Sequence, residues 1–525
     1  MTHKNTLKHG AALLFVFLVA YLLNAASYFL TGIPLKYEQS SDATVHVVDW
    51  QKFSRDYSGN FDHDIMFQNY QAQPTGVLFV DKVLVRVSEI FRADLLEWSI
   101  IISFLALALF LSGVYFLVLC SLKNTLLALL ISLVSVIPTI SLGLASWGFL
   151  IGGFVPKEIS LGIAVWLSIL YLSGVSSNSR TKIGAFFLLL GLFSNWYPVL
   201  FFHYCLVLLT AEVIRQRSAR KEHILYGVLF LAGAPVALFD IFIKSSHFTP
   251  PDTAIIFNHY TATLHSLTYL FLHYLRKQIV YVIIIGSLWY VYRRLFKKEY
   301  PPRILLWYAI WWSALAWSLL GVGTEIFAPV YMKYLLSRTS VWFYVASMVI
   351  VAYTAYEIYA ATFARSVKNS ILFSLLLSFV LLAQTSILAV YSGIKDRRDT
   401  SADYKQYLSV VTKLRSIVPR GSIILSNPDR EAKTIRAYGA VGSYVSWKDG
   451  NVTLFDGDAA RVWFDRYKEA QRVFSQKDFS AIRTFAVERH LQFYLFDKRD
   501  IVNGMDALAK KTIVESGEYG VAKMY

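Results

Sequence analysis

Charge is scarce in this chain. Of 525 residues only 16% are Asp, Glu, Lys or Arg, whereas 56% are hydrophobic. Soluble domains are about one quarter charged, so this chain cannot cover a water-facing surface of its own size, and a wholly soluble class is excluded. A bilayer is the natural solvent for the apolar excess. Cysteine is scarcer still: Cys120 and Cys205 are the only two, each inside an apolar segment, and no disulfide framework is suggested. Internal repeats and low-complexity tracts are absent as well.

What is abundant points the same way. Aromatics make up 16% of the chain, and Trp and Tyr collect at bilayer interfaces. The net charge is +16, yet the basic residues stand in short clusters between hydrophobic segments. That pattern fixes membrane orientation and argues against nucleic acid as a partner.

A helix rising 1.5 Å per residue crosses the bilayer in about 20 apolar residues. Segments near that length fall at 10–31, 98–121, 125–146, 158–175, 183–199, 200–214, 224–243, 278–293, 304–322, 341–361 and 370–392. The fifth and sixth are nearly fused at Tyr197-Pro198, and charge separates them. With eleven spans and the N-terminus inside, the inner loops carry Lys4 and Lys8, Lys123, Arg180 and Lys182, the Arg215–Lys221 cluster, the Arg293–Arg303 cluster, and Arg365 and Lys368. The short outer loops hold only Lys157. Fusing spans five and six would put a basic cluster outside, against the positive-inside rule. The first segment follows a basic end and contains Ala25-Ala26-Ser27, a candidate cleavage site. Its apolar run is longer than a signal peptide needs, so a retained helix is expected.

The expected fold is therefore a polytopic α-helical membrane protein of about eleven spans, N-terminus in and C-terminus out. A transmembrane part covers 1–392, with a large first outer loop at 32–97, and a soluble α/β domain covers 393–525. Further outer loops fall at 244–277 and 323–340. Loops this long are usually functional or disordered, and their aromatic content disfavours disorder. In the tail, 404–418 reads as helix, 422–425 and 443–447 as strands, and 491–496 and 522–525 as further strands. Asp458 is a candidate N-cap for a helix through Phe474. The tail has no Walker loop and no dinucleotide-binding glycine fingerprint.

The first outer loop contains Asn60-Phe61-Asp62-His63-Asp64. Two carboxylates one residue apart offer hard oxygen ligands to a divalent cation, Mg²⁺ or Mn²⁺; alternatively, one of them serves as general base on an acceptor hydroxyl. The plainer reading is a solvated turn. Context favours function, because the pair follows the first span and precedes an amphipathic stretch at 77–91 expected to lie on the bilayer.

This layout resembles the C-type glycosyltransferases: one span, a large outer loop with an acidic pair, an amphipathic segment, many further spans and an outer C-terminal domain. Protein mannosyltransferases, lipid A aminoarabinose transferases and oligosaccharyltransferases are members, and uncharacterised bacterial polytopic proteins share the layout. The resemblance implies a bacterial inner-membrane enzyme with its C-terminal domain periplasmic or extracellular. It implies a polyprenyl-phosphate-linked sugar as donor, a glycan or lipid as acceptor, and an acidic residue of the first loop as base, Asp64 with Asp62 as helper. The tail departs from the oligosaccharyltransferases, showing Tyr444-Val445-Ser446-Trp447-Lys448-Asp449-Gly450 where they carry a double-Trp–Asp motif. The segment Ser194-Asn195-Trp196-Tyr197-Pro198 lacks a histidine, the nearest being His203.

A lipid-phosphate donor needs a cation at headgroup depth, and a guanidinium grips two phosphate oxygens at once. Arg338, with Lys333, is the candidate; the plainer reading is an arginine snorkelling to the headgroups. In the tail, Arg436 and Lys448 are candidates for an anionic group and Trp447 or Trp463 for stacking on a sugar. The plainer reading there is a capping domain with Trp463 in its core. His265 and His273 are eight residues apart, about 12 Å along a helix, too far to converge on a metal with His259. Asp240, inside span seven, is either functional or reaches the interface. Two other classes compete with the enzyme. A lipid-linked glycan transporter or flippase would want polar groups midway through several spans, and the spans are mostly clean. A non-catalytic component of an envelope polysaccharide assembly would use the tail to bind protein.

Overall fold

The structure is a computed structural model that describes residues 3–39, 41–57, 59–61, 63–64, 75–137, 139–140, 146–147, 153–217, 221–242, 267–297, 299–327, 336–362, 387–429, 432–447, 449 and 457–525. Among these, six helices are long and apolar enough to cross a membrane: Leu95–Leu122, Pro156–Ser176, Pro198–Gln216, Gln278–Phe296, Pro302–Thr324 and Ser340–Ala361. Large apolar side chains such as Leu105, Ile224, Val228, Ile283, Trp312 and Leu320 lie exposed on their outer faces and those of their neighbours. Apolar surface on that scale marks a surface in contact with something other than water. The chain is a multi-pass membrane protein with a C-terminal sheet domain.

In chain order the helices are α1 (His3–Thr31), α2 (Ser41–Phe53), α3 (Thr75–Phe91), α4 (Leu95–Leu122) and α5 (Thr125–Val134). Then come α6 (Pro156–Ser176), α7 (Arg180–Ser194), α8 (Pro198–Gln216), α9 (Lys221–Gly233) and α10 (Pro235–Phe242). After α11 (Leu267–Phe296), α12 (Pro302–Phe327) and α13 (Ser340–Thr362), the helix α14 (Ile387–Val411) leads into the C-terminal domain. There lie α15 (Leu414–Ile417), α16 (Ala432–Gly439), α17 (Gly457–Phe474), α18 (Phe479–Glu488) and α19 (Met505–Ala509).

Prolines and glycines set the breaks. Within the third expected span, 125–146, helix α5 ends at Val134, ahead of Pro138, a residue type that disfavours the helical conformation just before it. A small antiparallel pair follows, β1 (Thr139–Ile140) with β2 (Ser146–Trp147). Spans five and six are separate helices, α7 and α8, and Pro198 opens the second at a position where no N–H is needed. Expected span seven is broken at Ala234 between α9 and α10 by Pro235. Asn195 repairs that break: its Nδ2 donates to Gly233 O at 2.7 Å, and its Oδ1 accepts from the Val236 and Ala237 amides at 2.9 and 3.1 Å. Helices α7 and α9 touch backbone to backbone, since a Cβ on Gly191 would lie 2.0 Å from Phe230 O. Small residues permit this close packing in membranes. Most of the eleventh expected span, 370–386, lies outside the described residues. The helix α14 runs straight through position 393, so no loop marks the expected domain boundary.

The C-terminal sheet has the order β4-β3-β5-β7-β6, built from β3 (Ile423–Leu425), β4 (Gly442–Ser443), β5 (Phe493–Asp497), β6 (Thr512–Ser516) and β7 (Tyr519–Lys523). Pairing is parallel among β4, β3 and β5 and antiparallel from β5 onward. The strand expected at 443–447 is confined to Gly442–Ser443, because the chain then turns onto Asp449, which accepts from the Ser446 amide at 2.8 Å. One face of the sheet packs on Trp463, Tyr467, Phe479 and Ile482 of α17 and α18. The other shares a core with the first loop: Val47, Val48 and Phe61 meet Leu408, Leu414, Ile424, Tyr438 and Val521.

Candidate functional site

Helix α2 has two working faces. Val47, Val48 and Gln51 face the C-terminal domain, with Gln51 Nε2 donating to Ala437 O at 2.7 Å. His46 and Trp50 turn toward α3. Trp50 Nε1 donates to Asp81 Oδ1 at 2.8 Å, and His46 Nδ1 stands 3.3 Å from Asp81 Oδ2. Asp49 and Asp81 are completely buried. His46, Asp49 and Asp81 each present a ligand atom within 4.8 Å of the others. One imidazole with two carboxylates suits a divalent cation such as Zn²⁺ or Mn²⁺, and the spacing fits one ion among three donors after a small inward adjustment.

Two anchors hold this cluster. Helix α3, the expected amphipathic segment, is pinned at its start by Asp240, whose carboxylate oxygens accept from the Thr75 amide and hydroxyl, both at 2.7 Å. A Cβ on Gly76 would overlap Asn195 O at 1.7 Å, so the same helix end presses directly on the α7–α8 link. The turn before α6 lies against α2. Gly153 adopts φ +85° there, and a Cβ would stand 2.5 Å from Gln39 Oε1. Next to it the Phe154 ring stacks on Trp50 at 5.4 Å, and the Phe154 amide donates to Ser99 Oγ at 2.7 Å.

The first turn of α6 then joins two environments. Glu158 is buried, accepts from Ser103 Oγ at 3.0 Å and lies within electrostatic reach of His46. Its neighbour Lys157 lines a pocket on another side of the helix. Three basic groups surround that pocket, Lys157 from α6, His203 from α8 and Arg338 from the turn Leu336–Thr339, with Tyr197 and Trp342 as aromatic walls. Trp342 is fixed by stacking on Tyr204 at 3.7 Å between ring centres. A concave site lined by basic side chains suits an anion, above all a phosphate.

Asp64 stands elsewhere. Its two oxygens accept from Arg436 Nε at 2.7 Å and Nη2 at 3.0 Å, and Oδ2 also accepts from the Ser443 amide at 2.7 Å. Arg436 grips Asp449 with its other donors, Nη1 to Oδ1 at 2.6 Å and Nη2 to Oδ2 at 3.0 Å. Asp64 and Arg436 are at most 1% exposed. Burial works against the Arg436 charge, but Asp449 and Asp64 outweigh it and hold the guanidinium charged beyond its usual range. The structure thus joins two residues expected to have separate roles. Asp64, expected as base, faces Arg436 rather than the Arg338 pocket, and Arg436, expected to bind substrate, is enclosed between two carboxylates.

The remaining expectations divide simply. Asp62, Lys333 and Lys448 lie outside the described residues, as do His259 and His265. Trp447 is half-buried against the domain core, its amide donating to Pro428 O at 2.9 Å, and Trp463 is a core residue whose Nε1 donates to Ser446 O at 2.8 Å. Asp240 is the anchor of α3. His46, Asp49, Asp81 and Glu158 were not singled out by sequence; the visible signals were a carboxylate between apolar residues in Val48-Asp49-Trp50 and one closing an apolar run in Val77-Leu78-Phe79-Val80-Asp81.

A multi-pass membrane part and a sheet domain sharing its core with the first loop define the architectural class. No family model and no curated protein matches the sequence. Among solved structures, the chain is similar to the archaeal oligosaccharyltransferase AglB from Archaeoglobus fulgidus in complex with an inhibitory peptide and a dolichol-phosphate. The TM-score is 0.50 at 13% identity, over 95% of this chain and 70% of that one. A crystal structure of the Archaeoglobus fulgidus oligosaccharyltransferase in complex with Zn and sulfate aligns with TM-score 0.47 at 11% identity, over 93% and 68%. By the first of these likenesses the chain shares the fold of that oligosaccharyltransferase, the C-type glycosyltransferase fold that its layout suggests.

Proposed function

We propose that this protein is a C-type membrane glycosyltransferase that moves a sugar from a polyprenyl-phosphate-linked donor to an acceptor outside the cytoplasm. The observation that carries the proposal is that the first turn of α6 gives Lys157 to the pocket it shares with His203 and Arg338, and holds the neighbouring Glu158 buried within electrostatic reach of His46. Glycosyl transfer from a lipid phosphate needs both halves, cations for the leaving phosphate and a carboxylate for the acceptor proton. The proposed topology is the eleven-span one, with α2, the pocket and the C-terminal domain on the outer side of a bacterial inner membrane.

In this mechanism Arg338 and Lys157 hold the donor phosphate. Glu158 takes the proton from the acceptor hydroxyl as its oxygen bonds to the anomeric carbon. The bond from that carbon to phosphate breaks, and the phosphate leaves with its electron pair onto the cation pocket. His46, Asp49 and Asp81 would hold a divalent cation, which when bound supplies positive charge beside the phosphate. Asp64 and Arg436 are assigned to joining the domain to the loop rather than to chemistry.

The test is Glu158→Gln in the full chain, with expression and membrane insertion matched to wild type. Lipid-linked donor should be consumed by wild type and left intact by the variant. Equal glycan product from both chains would remove Glu158 and this mechanism.

A further inference from the structure

Several polar links between the first loop and the C-terminal domain run through α16 and its end. Gln51 donates to the carbonyl of Ala437, and Asn60 Nδ2 donates to that of Ala440 at 2.9 Å. These carbonyls belong to the end of α16, where helix carbonyls lack partners of their own; the chain leaves the helix at Ala440 with φ +52°. Asp64 takes the third link, to Arg436 in the last turn. Arg436 in turn holds Asp449, and Asp64 and Asp449 accept from the Ser443 and Ser446 amides. One side chain thus ties α16, β4 and the following turn to the loop.

The opposite face of the loop helix carries the cation donors. On α2, Val47, Val48 and Gln51 bind the domain, while His46 and Trp50 bind the Asp81 side. Apolar contacts alone are non-directional and permit α2 to rotate or slide against the domain. A guanidinium forked onto two carboxylates does not, because its donors have fixed directions.

We propose that Arg436 is a positioning residue for the cation site. Its fork sets how α16 seats on the first loop, α16 sets the rotation of α2, and α2 sets the spacing of His46 and Asp49 from Asp81. The C-terminal domain thereby tunes a metal site to which it gives no ligand. This rests on the assignment of His46, Asp49 and Asp81 as a divalent-cation site.

The experiment uses the full chain in lipid nanodiscs and Mn²⁺ alone as probe. Mn²⁺ affinity and the electron paramagnetic resonance spectrum are measured for wild type, Asp49→Ala, Arg436→Lys and Arg436→Met, and hydrogen exchange is followed in α2 and α18. Wild type should bind, and Asp49→Ala should lose binding. Outer partners of metal ligands are worth about 10–100-fold in affinity. Arg436→Lys, which keeps the charge and loses the fork, should weaken Mn²⁺ binding about tenfold, alter the spectrum and speed exchange in α2, while α18 stays protected. Arg436→Met should weaken it further; if that chain does not fold, Arg436→Lys decides. Wild-type affinity and spectrum in Arg436→Lys, with Asp49→Ala inactive in binding, would overturn the positioning role and leave the cation site standing. Absence of Mn²⁺ binding by wild type would instead remove the cation site, and the positioning role with it.

Discussion

Replacing Asp64 with Asn separates a joint from a catalytic base. In the folded chain Asp64 accepts three charge-assisted or amide hydrogen bonds, two from Arg436 and one from Ser443, at 2.7–3.0 Å. Breaking a buried ion pair by removing one partner costs about 3–5 kcal/mol. Asn keeps one acceptor oxygen but turns an NH₂ toward a guanidinium that also donates. Asp449 still neutralises Arg436, so the loss should fall near the low end, about 3 kcal/mol. That is roughly a hundredfold rise in the population with the domain lifted off the loop. Hydrogen exchange reads such openings directly: amides of α16 should exchange about two orders of magnitude faster in Asp64→Asn. Glu158→Gln should behave oppositely. Its partner is the Ser103 hydroxyl, which pairs with an amide as well as with a carboxylate, so exchange stays near wild type while transfer is lost. Wild-type exchange in Asp64→Asn together with lost transfer would refute this reasoning and return Asp64 to the chemistry.

Three further outcomes are expected. Arg338→Ala should raise the donor concentration needed for half-maximal rate by at least about tenfold, the worth of a charged hydrogen bond, and Arg338→Lys by less; kinetics with a short-chain donor measures both. Asp240→Ala removes the acceptors of the Thr75 amide and hydroxyl and should cost about 1–2 kcal/mol at that helix end, visible as faster exchange in the first turn of α3. Gly191→Val should sharply reduce the folded fraction recovered in detergent, because its Cβ would overlap Phe230 O, whereas Gly227→Ala, whose Cβ meets nothing nearer than 3.9 Å, should be recovered like wild type; size-exclusion profiles compare them.

Much of the membrane part was legible because the bilayer imposes a length and a polarity on each crossing. The helices α4, α6, α8, α12 and α13 fall where about 20 apolar residues demand them, and α7 and α8 part at Tyr197-Pro198, where the sequence places their boundary. Pro138 and Pro235 were equally readable punctuation, passed over because hydropathy averages across them. The candidate site was harder. Asp81 meets His46 across 35 positions, and Arg436 meets Asp64 across 372; no local pattern encodes either meeting. The acidic pair at 62–64 drew attention because it is compact in sequence, whereas the carboxylates that gather beside the cation pocket are scattered over α2, α3 and α6. Lys157 had a signal, as the single cation in the short outer loops, and so did Arg338.

Helix α2 draws part of its support from the sheet domain. Thirteen residues are too few for a helix to hold itself together in water, and a helix with buried carboxylates pays a desolvation cost that only packing offsets. One of its faces packs through Trp50 against Phe154, Val85, Leu95 and Ile102, and the other carries a second set of apolar contacts. Val47 and Val48 supply them, and their partners Leu408, Leu414, Ile424 and Val521 all belong to the C-terminal segment. The helix that carries His46 and Asp49 is thus held on both sides, and the far end of the chain supplies one of them.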